Sequence, residues 1–162
     1  MKKYLTKAER AKFSLSAESK VLLGDLNANK QNVNARLRFK QGIIHEGYLR
    51  YLYEQFKDFC PAGPKIENLL PDKRTGIVYS SIYFSTYSLP CFNELYELFY
   101  PEGKKIIPLN IADLLTARGL AYWICDDGSR DKLYRYVVLC TNSFTLEEVE
   151  LLINVLNSKW NF

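Results

Sequence analysis

Two short segments of this chain end in an acidic turn, and their carboxylates are the side chains best suited to chemistry. The first segment reads Leu22-Leu23-Gly24-Asp25, and the second runs from Leu120 through Asp126 and Asp127 to Gly128. A carboxylate at the carboxyl end of a helix is unfavourable, because the helix macrodipole places negative charge there. A divalent cation such as Mg²⁺ would compensate it, since hard cations prefer oxygen ligands.

Small residues in both segments would allow the two acidic turns to approach each other. If the helices pack side by side, Gly24, Ala121 and Gly128 permit a close approach of Asp25 and Asp127. Two metal ions roughly 3.5 to 4 Å apart are the usual arrangement for in-line phosphodiester displacement. One ion would orient the attacking hydroxide and the other would stabilise the leaving oxygen. An aspartate beside a glycine at a helix end is usually only a cap or turn residue, so the hypothesis for Asp25 depends on its pairing with Asp127.

Helix signals surround both acidic turns. The first helix is predicted from Ser16 to Leu23, after Ser14 or Ser16 as the cap. The second is predicted over residues 117 to 126 or 127, with Thr116 as its N-cap and Gly128 as its stop. Each aspartate is therefore expected where a helix ends.

Two segments with period-two alternation predict strands next to these helices. Residues 35–40 alternate so that Ala35, Leu37 and Phe39 face a core, while basic side chains point outward, namely Arg36, Arg38 and Lys40. The Asn-rich stretch before them, residues 27–34, is expected to be a polar turn. Residues 76–88 form a second extended region, and one of its faces is a stripe of tyrosines and serines. A solvated strand face and ordinary sheet packing are the alternatives to a binding surface.

The remaining periodicity predicts helices over residues 45–59 and 92–99, a helical turn over 111–115 and a strand over 134–141. Thr145 and Glu148 form a capping-box pattern that opens a final helix. This order of elements is a repeated theme of a helix followed by strands, without regular βαβ alternation. It predicts an α+β fold.

Composition limits the classes of function. The 162 residues include 22 Lys and Arg against 18 Asp and Glu, a net charge of +4 that permits nucleic-acid binding without requiring it. Four widely spaced cysteines and one histidine form no zinc pattern, so free thiols are expected and histidine-based triads are disfavoured. No apolar run reaches the roughly 20 residues of a membrane-spanning helix. Residues 1–13 form a polar arm that lacks the apolar core of a secretory signal.

The segment from Leu120 to Gly128 resembles the LAGLIDADG motif in register, with Leu120, Ala121, Asp127 and Gly128 at its first, second, eighth and ninth positions. The segment Leu22 to Leu26 is similar to the first motif of the single-chain organellar branch of that family. The resemblance implies a pseudo-symmetric fold whose halves cover residues 14–110 and 111–162. It also implies that the chain is truncated at its C-terminus and that the second half is incomplete.

The same resemblance implies roles for individual residues. Asp25 and Asp127 would be catalytic and would bind Mg²⁺ or Mn²⁺, with Gly24 and Asp126 as further metal contacts, while Lys105 would polarise water or steady the transition-state charge. Outward side chains of the strands would contact double-stranded DNA. These are Arg36, Arg38, Lys40, Tyr79, Ser81, Tyr83, Ser85, Arg130, Lys132 and Arg135.

The function implied is that of an intron-encoded endonuclease that cuts double-stranded DNA at a long specific site. Two alternatives stay open: an RNA maturase that assists splicing of its host intron, and a DNA-binding remnant without activity. A monomer encoded in a mitochondrion or plastid, with no membrane association, is expected from the same resemblance.

Overall fold

A computed structural model of the protein describes residues 5–15, 27–31 and 33–162. The predicted first motif helix, together with Gly24 and Asp25, lies outside these residues. The chain divides into two compact units. Among the described residues, the first unit contains residues 5–14, 27–31 and 33–93, and the second contains Leu15 and residues 94–162.

A four-stranded antiparallel sheet forms the first unit. Its strands are β1 (Asn27–Gln31), β2 (Asn34–Gly42), β3 (Lys65–Asn68) and β4 (Ser80–Ser85), in the order β1-β2-β4-β3. Burial alternates strictly along β2 up to its last residue, which confirms the predicted alternation of residues 35–40. A short helix, α1 (Lys7–Arg10), precedes the sheet and is opened by a capping box of Thr6 and Glu9.

Helix α2 (Glu46–Phe56) covers the inner face of this sheet. Single 3₁₀ turns, Ile43–His45 and Lys57–Phe59, flank it, so the helical region predicted over residues 45–59 is confirmed. The ring of Phe39 stacks on Phe84 at 4.5 Å between centroids and lies 4.9 Å from the ring of Phe56. These aromatic contacts fix one face of the sheet against the helix and leave the other face uncovered by α2.

The sequence predicted the strands of the first unit only in part. The stretch predicted as a polar turn contains β1, whose Asn27 and Asn29 lie opposite Arg38 and Arg36. Strand pairing to β2 outweighs the turn preference of asparagine there. The extended region predicted over residues 76–88 is a strand only at Ser80–Ser85, because the residues before it belong to a hairpin loop in which the Leu69 N–H donates to the Tyr79 carbonyl at 2.8 Å. Strand β3 was not predicted.

The second unit is mainly helical. After α3 (Asn93–Phe99), which begins at the last residue of the first unit, come α4 (Ile111–Leu114), α5 (Ala117–Asp127) and α6 (Leu146–Trp160). A two-stranded antiparallel sheet, β5 (Gly128–Arg130) with β6 (Val137–Leu139), separates α5 from α6. The strand predicted over residues 134–141 is shorter than expected, because residues 131–136 form the hairpin loop. The architecture confirms the predicted α+β class.

The predicted helix caps are present. The Thr116 side chain accepts a hydrogen bond from the Gly119 N–H, and Thr145 with Glu148 forms the complete capping box of α6. Helix α6 is tied to α4 by Lys159, whose Nζ donates to the Leu115 carbonyl at 2.9 Å. All four cysteines are free thiols, as predicted. None of the helices among the described residues is both long enough and apolar enough to cross a lipid bilayer.

Candidate nucleic-acid interface and acidic helix end

The face of the first unit's sheet opposite α2 carries half of the predicted DNA-binding residues. We call it the outer sheet face and define it by Arg36, Arg38, Lys40, Tyr83 and Ser85. Arg38 lies directly opposite Ser85 and Lys40 directly opposite Tyr83. Cross-strand partners project to the same side of a sheet. The pairing of β2 with β4 therefore gathers basic and hydroxyl side chains on one surface.

The two arginines of the outer sheet face are held against the sheet with unused hydrogen-bonding capacity. The Nε atoms of Arg36 and Arg38 are buried and have no hydrogen-bond partner among the described residues. The Arg38 guanidinium carbon lies 5.0 Å from the centre of the Tyr83 ring, within cation–π range. Both arginines are half-buried as whole residues, so an external acceptor would have to contact parts of their guanidinium groups other than the buried Nε atoms.

Strand β3 adds an acidic residue to the surface that the sequence analysis did not anticipate. Glu67 accepts a hydrogen bond from the Nζ of Lys40 at 3.0 Å, and the two side chains are 42% and 39% exposed. The strand also places Lys65 opposite Tyr83. The sequence analysis missed this ion pair because it did not identify β3, which is a short strand between two loops.

Two nominated residues of the same region differ from the rest. Ser81 is only 6% exposed, and its hydroxyl has no partner in the described part of the chain. Its low accessibility in the free protein argues against a direct contact. Tyr79 is 52% exposed and immediately precedes β4, at the end of the hairpin loop.

The acidic turn of the second motif lies where α5 passes directly into β5. The helix buries Gly119, Leu120 and Trp123, and the Gly128 N–H closes its last turn on the Ile124 carbonyl. A Cβ added at Gly128 would collide with that carbonyl group, so glycine is required by close approach. Gly128, the last residue of the motif, therefore allows the chain to pass from α5 directly into β5.

Asp127 is the last residue of α5, and its position at the helix end was predicted correctly. Its carbonyl oxygen accepts a hydrogen bond from the Cys140 N–H at 3.2 Å, just beyond β6. Asp126 and Asp127 are both half-buried. Because Gly24 and Asp25 lie outside the described residues, the pairing of Asp25 with Asp127 stays a prediction.

The segment between α3 and α4 carries Lys105 and is held by hydrogen bonds from two successive backbone N–H groups. The Ile106 N–H donates to the Phe99 carbonyl at 2.8 Å, and the Ile107 N–H donates to a carboxylate oxygen of Glu148 at 2.8 Å. The other oxygen of Glu148 accepts from the Thr145 N–H at 2.7 Å. Sequence reasoning found the cap but not its link to the connector, because nothing in the spacing joins residues 41 positions apart. Lys105 itself is half-buried.

The other nominated residues of the second unit lie on its two-stranded sheet. Arg130 closes β5 opposite Val137, and Lys132 and Arg135 lie in the loop that joins the strands. All three basic residues are exposed. The second unit thus presents positive charge on and beside its hairpin.

The first unit thus has an antiparallel sheet with basic and hydroxyl side chains on one face, and the second unit has a helix that ends in two aspartates directly before Gly128. Comparison with known families is more specific. The model of the LAGLIDADG DNA endonuclease family matches residues 21–162. The chain belongs to this family.

Individual relatives include both endonucleases and maturases. The chain is 35% identical over 145 residues to the cytochrome b mRNA maturase bI2 of Debaryomyces hansenii, covering 86% of this chain and 54% of the relative. It is 30% identical over 149 residues to the probable intron-encoded endonuclease 1 of Wickerhamomyces canadensis, covering 86% of this chain and 62% of the relative. The chain therefore spans less than two thirds of the length of both relatives.

A solved structure shows the same fold. The homing endonuclease I-WcaI bound to its DNA recognition sequence matches with a TM-score of 0.82 and 28% identity. The match covers 92% of this chain and 70% of that one. The α+β endonuclease fold predicted from the sequence is confirmed.

Proposed function

We propose that the chain acts as an intron-encoded endonuclease that hydrolyses phosphodiester bonds in double-stranded DNA at a long specific site. The observation that carries this proposal is the outer sheet face, where the pairing of β2 with β4 gathers two arginines, a lysine, a tyrosine and a serine. Family membership and an intron-encoded endonuclease among the relatives support it.

The proposed DNA contacts divide by chemistry. The guanidinium groups of Arg36 and Arg38 suit the paired acceptors on the guanine edge in the major groove, while lysine and hydroxyl groups suit phosphate oxygens. Lys40, Tyr79, Tyr83 and Ser85 complete the set from the first unit. The second unit would contribute Arg130, Lys132 and Arg135.

For the chemical step, we assign Asp127 as a catalytic carboxylate together with Asp25, and Lys105 as a group that steadies developing negative charge. The half-buried end of α5 suits a divalent cation, because the negative end of the helix dipole and the Asp127 carboxylate favour positive charge there. Mg²⁺ or Mn²⁺ would be held by Asp25 and Asp127, with Gly24 and Asp126 as further contacts. When bound, such an ion supplies Lewis-acid stabilisation and lowers the pKa of bound water.

A maturase role is the second candidate, because a relative of this chain is named a cytochrome b mRNA maturase. The same basic surface would then bind the host intron RNA, and the carboxylate of Asp127 would be dispensable. Either role is consistent with a gene in a mitochondrial intron, as the relatives' names suggest.

Cleavage of a plasmid that carries the intron-less junction of the host gene tests the proposal. With Mg²⁺ present, we expect the wild type to cut this plasmid and Asp127→Asn to cut it at least about 100-fold more slowly, as is typical when an electrostatic catalytic group is removed. Asp113→Asn is the matched control, because Asp113 is exposed on α4 and should leave cleavage unchanged.

Intact plasmid with wild-type protein would contradict the endonuclease proposal. Stimulation of intron splicing that persists in both Asp25→Asn and Asp127→Asn would then support the maturase.

A further inference from the structure

The two units contain hairpin loops with the same pattern of hydrogen bonds. In the first unit, Asp72 accepts from the N–H groups of Arg74 and Thr75 at 2.8 and 2.9 Å through its carboxylate. Its backbone N–H donates to the Ile77 carbonyl at 2.9 Å, and its carbonyl accepts from the Gly76 N–H at 2.8 Å. Four hydrogen bonds thus close residues 72–77 into a defined turn.

Residues 131–136 of the second unit form the same turn. The Asp131 carboxylate accepts from the N–H groups of Leu133 and Tyr134, both at 2.8 Å. The Asp131 N–H donates to the Tyr136 carbonyl at 3.0 Å, and the Arg135 N–H donates to the Asp131 carbonyl at 3.1 Å. Arg135 therefore occupies the position that Gly76 occupies in the first unit.

This position requires a left-handed backbone. Gly76 has φ of +70° and Arg135 has φ of +61°. Glycine adopts this conformation without steric cost, whereas a side chain with a Cβ is strained in it. The first unit shows that glycine suits the turn, so the arginine in the second unit is retained against a conformational penalty.

The surroundings of Arg135 supply no local reason for retaining it. The residue is exposed and makes no salt bridge among the residues that the structure describes. Its neighbours Tyr134 and Tyr136 are 71% and 50% exposed and stack on each other with centroids 6.2 Å apart. Because strain that persists in a fold points to function, the compensation is expected from a partner outside the chain.

The charge of the loop identifies the kind of partner. The only carboxylate in residues 131–136 belongs to Asp131, and it is engaged with N–H groups of its own loop. Lys132 and Arg135 therefore give the loop a net positive charge, and the exposed tyrosine hydroxyls add donors. Arginine, lysine and tyrosine are the side chains that commonly bind phosphate oxygens of DNA.

We propose that Arg135 is held in the strained left-handed position in order to bind the phosphodiester backbone of double-stranded DNA. This inference rests on the proposed function and deepens it, because it assigns one loop residue a phosphate contact and explains its conformational cost. Stability and affinity should therefore respond in opposite directions when the side chain is removed.

Thermal unfolding and DNA binding of three variants of the full chain test the proposal. Arg135→Gly should raise the Tm by about 2 °C, because strain is relieved. Its affinity for a 30-base-pair duplex of random sequence, followed by fluorescence anisotropy, should fall. Loss of one phosphate contact should reduce the slope of log affinity against log salt by roughly 0.9.

Two further variants are controls. Arg135→Lys should keep both the charge and the wild-type Tm. Gly76→Arg, the matched control in the first unit, should lower the Tm by about 2 °C.

Each outcome decides one part of the inference. A lower Tm for Arg135→Gly would refute the strain, and an unchanged salt slope would refute the phosphate contact while the proposed function stands. Failure of the wild type to bind the duplex would overturn the proposed function together with this inference. A larger loss on an RNA duplex of equal length than on DNA would assign the loop to RNA and overturn the assignment to DNA.

Discussion

The ion pair on the outer sheet face offers a test in which removal of a charge should strengthen binding. Lys40 and Glu67 lie 3.0 Å apart, and both side chains are more than a third exposed. An exposed pair contributes only about 0.2 to 1 kcal/mol to stability. We therefore expect Glu67→Gln to change the free energy of unfolding by less than about 1 kcal/mol, so that the effect on DNA can be measured separately.

The expected gain in DNA affinity follows from counterion release. In the wild type Glu67 competes with phosphate for Lys40, so Glu67→Gln makes the Lys40 contact with phosphate fully available and removes one anion from the surface. One further phosphate contact makes the dependence of log affinity on log salt steeper by about 0.9. Over a fourfold change in salt, from about 50 to 200 mM, affinity should therefore fall by about 3.5-fold more than for the wild type.

Fluorescence anisotropy with a labelled duplex over this salt range is the assay. Glu54→Gln is the matched control, because Glu54 forms a similar exposed ion pair with Lys57 at 3.0 Å, but on the end of α2. If both variants change the salt dependence equally, or if Glu67→Gln weakens binding at low salt, the outer sheet face is not the DNA-binding surface.

Two further predictions test the local structure. Gly128→Ala should destabilise the protein by about 1 to 3 kcal/mol in urea unfolding, because the new Cβ meets the Ile124 carbonyl. Gly47→Ala, with nothing among the described residues within 4 Å of the new Cβ, should stabilise α2 by about 0.5 kcal/mol; equal effects would contradict the close approach. Burial raises the pKa of the Cys60 thiol from 9.0 to about 12, which lowers its thiolate fraction roughly a thousandfold. At pH 8, iodoacetamide should therefore modify the exposed Cys125 well before Cys60, and equal rates in the native protein would refute the burial.

Local patterns predicted the elements whose signals lie within a few residues. The alternation in β2 and the caps at Thr116 and Thr145 were correct, because side-chain direction in a strand and side-chain capping of a helix are short-range effects. The end of α5 at Asp127 was predicted for the same reason, since Gly128 follows it directly.

Strand pairing and long-range contacts were not predictable in this way. Strand β1 has an Asn-rich sequence that favours turns, and it is a strand because it pairs with β2. Strand β3 became recognisable only through its pairing with β4. As a result, the ion pair of Glu67 with Lys40 was missed, although both residue types were visible in the sequence.

The candidate site divides in a similar manner. The nominated residues of β2 and β4 were identified by alternation alone, but their arrangement on one surface depends on the register between the strands. The burial of Ser81 and the left-handed backbone of Arg135 depend on three-dimensional geometry that the spacing does not encode.

Single-turnover cleavage over a range of protein concentrations tests most directly whether the outer sheet face binds DNA and Asp127 acts in the chemical step. The account predicts that Arg38→Met needs more protein to reach its maximal rate but approaches the wild-type rate at saturation. Asp127→Asn should bind DNA with wild-type affinity and remain at least about 100-fold slower at saturation. Recovery of the wild-type rate by Asp127→Asn at saturating protein would contradict the catalytic assignment, and unchanged half-saturation for Arg38→Met would contradict the binding surface.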